Sequence, residues 1–340
     1  MGAFFSLDTN IPVLLSLLFI CGGLYLLSKS ADRFVDESAT LARAFGVSPL
    51  VVGMVIIGFG TSAPELAVSA LSAAAGHSDL SLGNAYGSCI FNIAGILGVA
   101  AMVRPFKVRP SATLTGVGVL LAVCAISFFL CRNMTFSRME GIALLAAFLV
   151  IVPLYCLYDQ KNTPAGDTES GEGQRQETSL KNWAMLLLSL VLLVASSHFL
   201  VWGCVDFARD VLGVSPLVIG LTIVAVGTSL PELASALASA RRGEHDFIIG
   251  NIIGSNLFNM LGVVGLAGTI SPFGNFSKFI MCRDLPVVSA LSLMIFLFGF
   301  NFIRPKQAGT IGRVKGFVLI GIYIAYLVVM IATEFMCAAD

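Results

Sequence analysis

Gly58-Phe59-Gly60-Thr61-Ser62-Ala63-Pro64-Glu65 interrupts a run of apolar residues long enough to cross a bilayer. The same device returns as Ala225-Val226-Gly227-Thr228-Ser229-Leu230-Pro231-Glu232. Each copy sets a carboxylate, two hydroxyls and a helix-breaking proline where lipid tolerates none of them alone, so each marks a functional site. Thr61 and Glu65 are four residues apart, and Ser62 and Glu65 three, so a helix presents all three on one side. The same holds for Thr228, Ser229 and Glu232. Pro64 and Pro231 each remove a backbone N–H, and Gly58, Gly60 and Gly227 loosen the chain upstream. Carbonyls freed in this way must face protein or water, which makes them candidate cation ligands beside the side chains.

Composition fixes the environment of this motif. Of 340 residues, 57% are hydrophobic and only 12% charged, with mean hydropathy +0.91. A soluble domain of that size is excluded, and an all-α polytopic membrane protein is the class that fits. The formal net charge is zero, so there is no bias toward nucleic acid. Eight cysteines are scattered through apolar runs with no CxxC pair, which reads as buried small hydrophobes rather than disulfides or metal ligands. His77, His198 and His245 have no partner motif and read as interfacial. The first apolar run, from about Ile11, follows no basic residue and reads as a retained span, not a signal peptide.

Stretches of about 20 apolar residues place ten spans. They lie near 11–28, 47–75, 83–103, 112–131, 139–158, 182–203, 213–240, 247–269, 284–303 and 315–336. With an external N-terminus, 15 of the 20 Lys and Arg fall in internal connections and 5 outside, so both termini are expected outside. Residues 159–181 are polar throughout and read as a cytoplasmic linker between an N-terminal unit, 1–158, and a C-terminal one, 182–340. Asp32, Asp36 and Glu37 read as an interfacial charge cluster, and Arg241-Arg242 as an inner-surface anchor.

The two units are copies. A constant offset of 167 aligns Gly46-Val47-Ser48-Pro49 with Gly213-Val214-Ser215-Pro216, and Pro64-Glu65-Leu66-Ala67 with Pro231-Glu232-Leu233-Ala234. It also aligns Gly83-Asn84, Gly87-Ser88 and Phe91-Asn92 with Gly250-Asn251, Gly254-Ser255 and Phe258-Asn259. The second copy starts five spans after the first. Five is odd, so the copies cross in opposite directions: an inverted repeat of two five-helix units, with broken helices 2 and 7 meeting near the midplane.

Spans 3 and 8 complete the constellation. Ser88 and Asn92 share a helix face, as do Ser255 and Asn259, and Gly83-xxx-Gly87 and Gly250-xxx-Gly254 permit close helix approach. Two carboxylates, two amides and several hydroxyls can thus converge. All are oxygen donors, which suits Ca²⁺, Na⁺ or Mg²⁺ and disfavours Zn²⁺ or Cu⁺. Two carboxylates neutralise one Ca²⁺, hold two or more Na⁺, or take up protons, which gives a physical basis for exclusive occupancy and exchange.

Gly-Thr-Ser-x-Pro-Glu followed by Gly-Asn-x-x-Gly-Ser-x-x-Phe-Asn, present twice, resembles the repeats of the sodium/calcium exchanger branch of the calcium/cation antiporter superfamily, in particular its short prokaryotic members. The resemblance covers essentially the whole chain. It implies a core of spans 2, 3, 7 and 8, with long, tilted spans 1 and 6 sliding against it. It also implies Glu65 and Glu232 as central ligands, completed by Thr61, Ser62, Ser88, Thr228, Ser229 and Ser255. Gly58 and Ala225 would lend backbone carbonyls, and Asn92 would sit between the glutamates. Two positions depart from the pattern. Cys89 replaces the Asn of its mate Asn256, at a position expected to pack. Asn259 stands where exchangers of this branch carry Asp, so a third acidic group is missing and Na⁺ against H⁺ coupling stays open.

The expected activity is exchange of Ca²⁺ for Na⁺ across the bacterial inner membrane, with the ions as substrates, the lipid bilayer as surroundings, and no resident cofactor, nucleic acid or obligatory protein partner. The rival within transporters is Ca²⁺/H⁺ antiport. A cation channel would more often present a symmetric oligomeric pore than a gapless inverted repeat. An intramembrane hydrolase needs a base beside Thr61 or Ser62, and no histidine lies in a plausible neighbouring span.

Overall fold

The computed structural model describes residues 13–76, 78–110, 112–162, 179–212, 225–274, 276–301, 304 and 307–339. The chain is a helical polytopic membrane protein. Among the described residues, eight helices are long and apolar enough to span a bilayer, or nine with the bent pair α2–α3 counted as one. In chain order they are α1 (Val13–Phe45), α2 (Pro49–Thr61) with α3 (Ala63–Ala74), α4 (Leu80–Val103), α5 (Leu114–Cys131) and α6 (Arg138–Lys161). The second half contributes α7 (Leu180–Asp210), α9 (His245–Ile270), α10 (Ile280–Gly299) and α11 (Arg313–Thr333), together with the shorter α8 (Leu230–Arg242), which is not one of the nine. The start of the expected seventh span, 213–224, and His77 lie outside the described residues, as do residues 163–178 of the expected linker.

The two halves keep the sequence offset in three dimensions. The π-helical turns Phe91–Ile96 of α4 and Phe258–Val263 of α9 are 167 residues apart. The halves are laced crosswise by two antiparallel pairs of short strands. β1 (Phe106–Val108) pairs with β4 (Gly309–Ile311), and β2 (Thr135–Phe136) with β3 (Phe273–Gly274). Neither the strands nor the π-turns follow from hydropathy.

Two helices overrun their apolar stretches. The first span, expected to end at 28, continues to Phe45, and the sixth, expected to end at 203, continues to Asp210. Apolar counting stops at the first charges, but here Asp32, Arg33, Asp36, Glu37, Asp206, Arg209 and Asp210 all have partners. Arg33 pairs with Glu37 one turn on at 2.7 Å, and buried Asp206 accepts a hydrogen bond from Ser16 Oγ at 2.5 Å. That bond, with Asn182 Nδ2 donating to Glu37 Oε2 at 3.1 Å near the other end, ties α1 and α7 into one pair. Helix α6 likewise runs into the expected linker, and its buried Asp159 accepts from Ser48 Oγ, the N-cap of α2, at 2.5 Å.

α9 is buried along its whole apolar length and α4 along most of it, whereas α6 and α11 are the most exposed to lipid. The close approach expected of Gly250-xxx-Gly254 is made against α2: a Cβ on either glycine would collide with the backbone of Leu50 or Met54. The positions that the offset of 167 makes equivalent to Leu50 and Met54, 217 and 221, lie outside the described residues. Replacement of Gly254 by leucine should therefore force α9 off α2, at an overpacking cost of about 1–3 kcal/mol. A lowered thermal midpoint of the detergent-solubilised protein, with Gly118→Leu at a position with open space as control, would register it.

Candidate cation site

Each half breaks its second helix at a serine. α2 ends at Thr61, α3 starts at Ala63, and the axis bends by 45° at Ser62. Ser62 (φ −83°, ψ 8°) and Ser229 (φ −93°, ψ 13°) adopt nearly the same conformation. The proline follows within the first turn of the new helix, where its missing N–H costs nothing. Glu65 and Glu232 also lie in that turn, where unpaired backbone N–H groups and the positive end of the helix dipole favour a carboxylate.

The breaks meet face to face. Ser62 Oγ donates to Glu232 Oε1 at 2.8 Å, and Ser229 Oγ donates to Glu65 Oε1 at 2.7 Å. The carboxylate of each half is thus held by the hydroxyl of the other. Thr61, Ser62, Glu65, Ser229, Ser255 and Asn259 are wholly buried, and Glu232, Asn92 and Ser88 nearly so. Ser229 Oγ also lies 3.3 Å from Ser88 Oγ, so one hydroxyl proton serves either Glu65 or Ser88. Ser255 Oγ lies 3.2 Å from the Gly58 carbonyl, which brings α9 onto the break in α2.

Several buried oxygens here are left over. Glu65 Oε2, Glu232 Oε2, Asn92 Oδ1, Asn259 Oδ1 and Thr228 Oγ1 have no hydrogen-bond partner among the described residues. Buried polar atoms are ordinarily satisfied, and a carboxylate without a counter-charge is the costliest exception. A hard cation supplies that charge and accepts this donor set.

Of the residues singled out in the sequence, the two glutamates, Ser62, Ser229, Ser88, Ser255 and Gly58 are joined by this network of contacts. Thr61 Oγ1 donates back to the Ile57 carbonyl at 2.8 Å. Of Ala225, only the backbone is described, in the single turn Ala225–Gly227. Asn92 and Asn259 occupy the second position of their π-turns, where the local widening of the helix is of a kind that recurs at functional sites. Asn92 Nδ2 donates to Asn256 Oδ1 at 3.2 Å, while Cys89 Sγ contacts the Asn256 carbonyl at 3.8 Å. Positions 89 and 256 therefore pack against each other, and Asn256 also steers Asn92.

Sequence reasoning passed over Asn84 and Asn251. Asn84 Nδ2 donates to the Glu65 carbonyl and Asn251 Nδ2 to the Glu232 carbonyl, both at 3.3 Å. The signal was available, because Gly-Asn recurs at the repeat offset. The charge cluster on α1 is paired: Arg242 of α8 bonds Asp36 at 2.7 and 2.9 Å and Asp32 at 2.8 Å. His245 Nδ1 accepts the Lys107 N–H at 3.4 Å, and His198 stacks edge-on against Phe199.

A multi-pass helical bundle with a buried, oxygen-only, doubly acidic centre defines a membrane cation antiporter. The model of the sodium/calcium exchanger protein family matches residues 15–156 and 181–332, and the chain belongs to that family. CaxA of Alkalimonas amylolytica is 37% identical over 92% of this chain and 98% of its own length. The sodium/calcium exchanger MaX1 of Methanosarcina acetivorans is 30% identical over 94% and 99%. A solved structure of the sodium-calcium exchanger NCX_Mj, soaked with Na⁺ and Sr²⁺, superposes with a TM-score of 0.77 at 28% identity, covering 94% of this chain and 99% of that one.

The reciprocity of the two serine–carboxylate bonds has a measurable consequence. Ser62→Ala and Ser229→Ala should each lower stability by about 1 kcal/mol. Ser229→Ala should lower the thermal midpoint at least as far as Ser62→Ala, because it removes the equivalent carboxylate bond and also the 3.3 Å contact with Ser88.

Proposed function

We propose that the chain is a secondary antiporter that exports Ca²⁺ against an inward flow of Na⁺ across the bacterial inner membrane. The observation that carries this reading is the pair of buried glutamates, each held through Oε1 by the opposite half and each with Oε2 unpartnered among the described residues. One divalent ion balances two carboxylates. Two or more Na⁺ do so equally well at the same oxygens, so the ions exclude one another and exchange follows from competition. In this reading Glu65 and Glu232 are the shared ligands, and Thr61, Ser62, Ser88, Asn92, Thr228, Ser229, Ser255, Asn259 and the carbonyls of Gly58 and Ala225 complete the coordination. No resident cofactor or catalytic residue is involved.

The architecture assigned to this activity is ten spans in two inverted repeats, 1–158 and 182–340, joined by a cytoplasmic linker at 159–181 with both termini outside. Crosswise strand pairs, reciprocal serine–glutamate bonds and the preserved offset of 167 support it. Access alternates as the braced pair α1–α7 moves against the four-helix core. The conformation at hand ties the inner end of α1 to the core through Arg242, so it is read as closed on the inner side.

Two measurements test this. In proteoliposomes with an imposed Na⁺ gradient, Glu65→Gln and Glu232→Gln should each reduce ⁴⁵Ca²⁺ flux at least 100-fold while the proteins remain monodisperse. Near-normal flux in either variant refutes the site. The same vesicles given only a pH gradient should show little Ca²⁺ movement, and flux that follows the pH gradient in Na⁺-free medium would assign H⁺ as the coupling ion. Separately, Arg242→Gln should favour the inward-open form. A cysteine placed on the inner flank of α8 should then label with a membrane-impermeant maleimide several-fold faster than in the parent, and an unchanged rate would remove Arg242 from the gating scheme.

A further inference from the structure

Ser255 has one hydroxyl proton and two acceptors within reach. The Gly58 carbonyl lies 3.2 Å from its Oγ, and Asn251 Oδ1 lies 3.3 Å from it. The choice decides what a cation finds. When the proton points at Gly58, it occupies the carbonyl's free side and faces any incoming positive charge. When it points at Asn251, the Ser255 lone pairs are open to an ion, and the Gly58 oxygen, which accepts the Ser62 N–H at 3.2 Å, keeps its second lone pair for one.

Asn251 is fixed to play the acceptor. It is almost wholly buried, and its Nδ2 donates to the Glu232 carbonyl at 3.3 Å, which turns Oδ1 toward Ser255. The residue therefore links the backbone of one central glutamate to the hydroxyl that faces the opposite half. The first half does not repeat the arrangement. Asn84 Nδ2 bonds the Glu65 carbonyl and also Ser69 Oγ at 3.0 Å, while Ser88 Oγ accepts from Ser229 Oγ at 3.3 Å and among the described residues makes no bond to Asn84. Two positions identical in sequence thus do different work.

We infer that Asn251 is a positioning residue that takes the Ser255 proton and thereby opens the Gly58 carbonyl and Ser255 Oγ as a Na⁺ subsite. The inference rests on the exchange reading above. Ca²⁺, held chiefly by the two carboxylates, depends on this subsite much less than Na⁺ does, because a monovalent ion relies on neutral oxygens for most of its coordination. Asn251 touches no transported ion itself.

The experiment is a double-mutant cycle in proteoliposomes, with half-saturating Na⁺ and Ca²⁺ and maximal rate measured for each protein. Wild type must first show Na⁺-driven ⁴⁵Ca²⁺ exchange, and its absence sinks both the exchange reading and this one. Given that exchange, Asn251→Ala should raise half-saturating Na⁺ about 5- to 10-fold, shift half-saturating Ca²⁺ less than twofold and leave the maximal rate within about twofold. In a Ser255→Ala background the same change should alter the Na⁺ requirement less than twofold, because there is no proton left to direct. Asn251→Asp, which keeps an acceptor but gives up the Nδ2 bond to the Glu232 carbonyl, should recover part of the Na⁺ affinity that Asn251→Ala loses. Asn251→Leu, close in shape but unable to accept, should match Asn251→Ala and replaces it if the alanine variant does not fold. Equal effects of Asn251→Ala in both backgrounds, a fall in maximal rate at unchanged Na⁺ affinity, or no recovery with aspartate would each overturn the assignment while leaving the exchange reading intact.

Discussion

Everything in this molecule is arranged around two carboxylates that share a dry interior. Left alone, Glu65 and Glu232 would repel each other and lose their hydration, and a buried charge without compensation is among the most expensive features a protein can carry. The chain offsets part of that cost by crossing its serines: Ser62 serves Glu232 and Ser229 serves Glu65. Each half is incomplete without the other. One oxygen on each carboxylate is left without a partner among the described residues, and on the proposed exchange reading a cation would meet that deficit, which ties the energetic weakness of the core to its capacity to bind.

The scaffold answers to that centre. A kink is needed to bring a glutamate into the first turn of a fresh helix, and the Ser-x-Pro-Glu order supplies it twice with nearly identical backbone angles. The kinked segment then needs a partner close enough to lend its oxygens, and the glycines of α9 allow backbone contact with α2. Asn84 and Asn251 hold the glutamate carbonyls from the neighbouring helices, so the acidic turns are fixed to α4 and α9. α1 and α7 are braced to each other through Ser16 with Asp206 and Glu37 with Asn182. They meet the core through a buried apolar cluster that includes Phe34, Leu193, Ile57 and Phe247, through Ser197 Oγ donating to the Gly227 carbonyl at 3.1 Å, and at the charged rim.

Much of the site was legible before any coordinates. Repetition of a carboxylate–hydroxyl–proline set inside lipid-grade sequence left few readings, because each residue is costly there unless it is used. Position 89 reads from the sequence only as a packing site; that it packs against its own repeat mate Asn256, which also orients Asn92, is a finding of the fold. Asn84 and Asn251 were visible in the repeat but not chosen, since an amide one residue from a glycine looks like ordinary helix–helix adhesion. The ends of α1 and α7 were set too short, because hydropathy treats a charge as the end of a span, whereas Arg33, Asp36 and Asp206 keep their helices going by finding partners that lie far away in sequence or one turn along.

The sequence by itself determined the environment, the duplication and the chemical type of the centre, since these depend on hydrophobic length, on spacing at a constant offset and on which atoms can donate. Only the tertiary structure decided which serine faces which glutamate, where the helices widen into π-turns, and which of two equivalent asparagines turns its oxygen toward the serine one turn on. Those choices depend on distances of a few tenths of an ångström between segments more than 160 residues apart. Identical motifs in the two halves give no local sign of such differences.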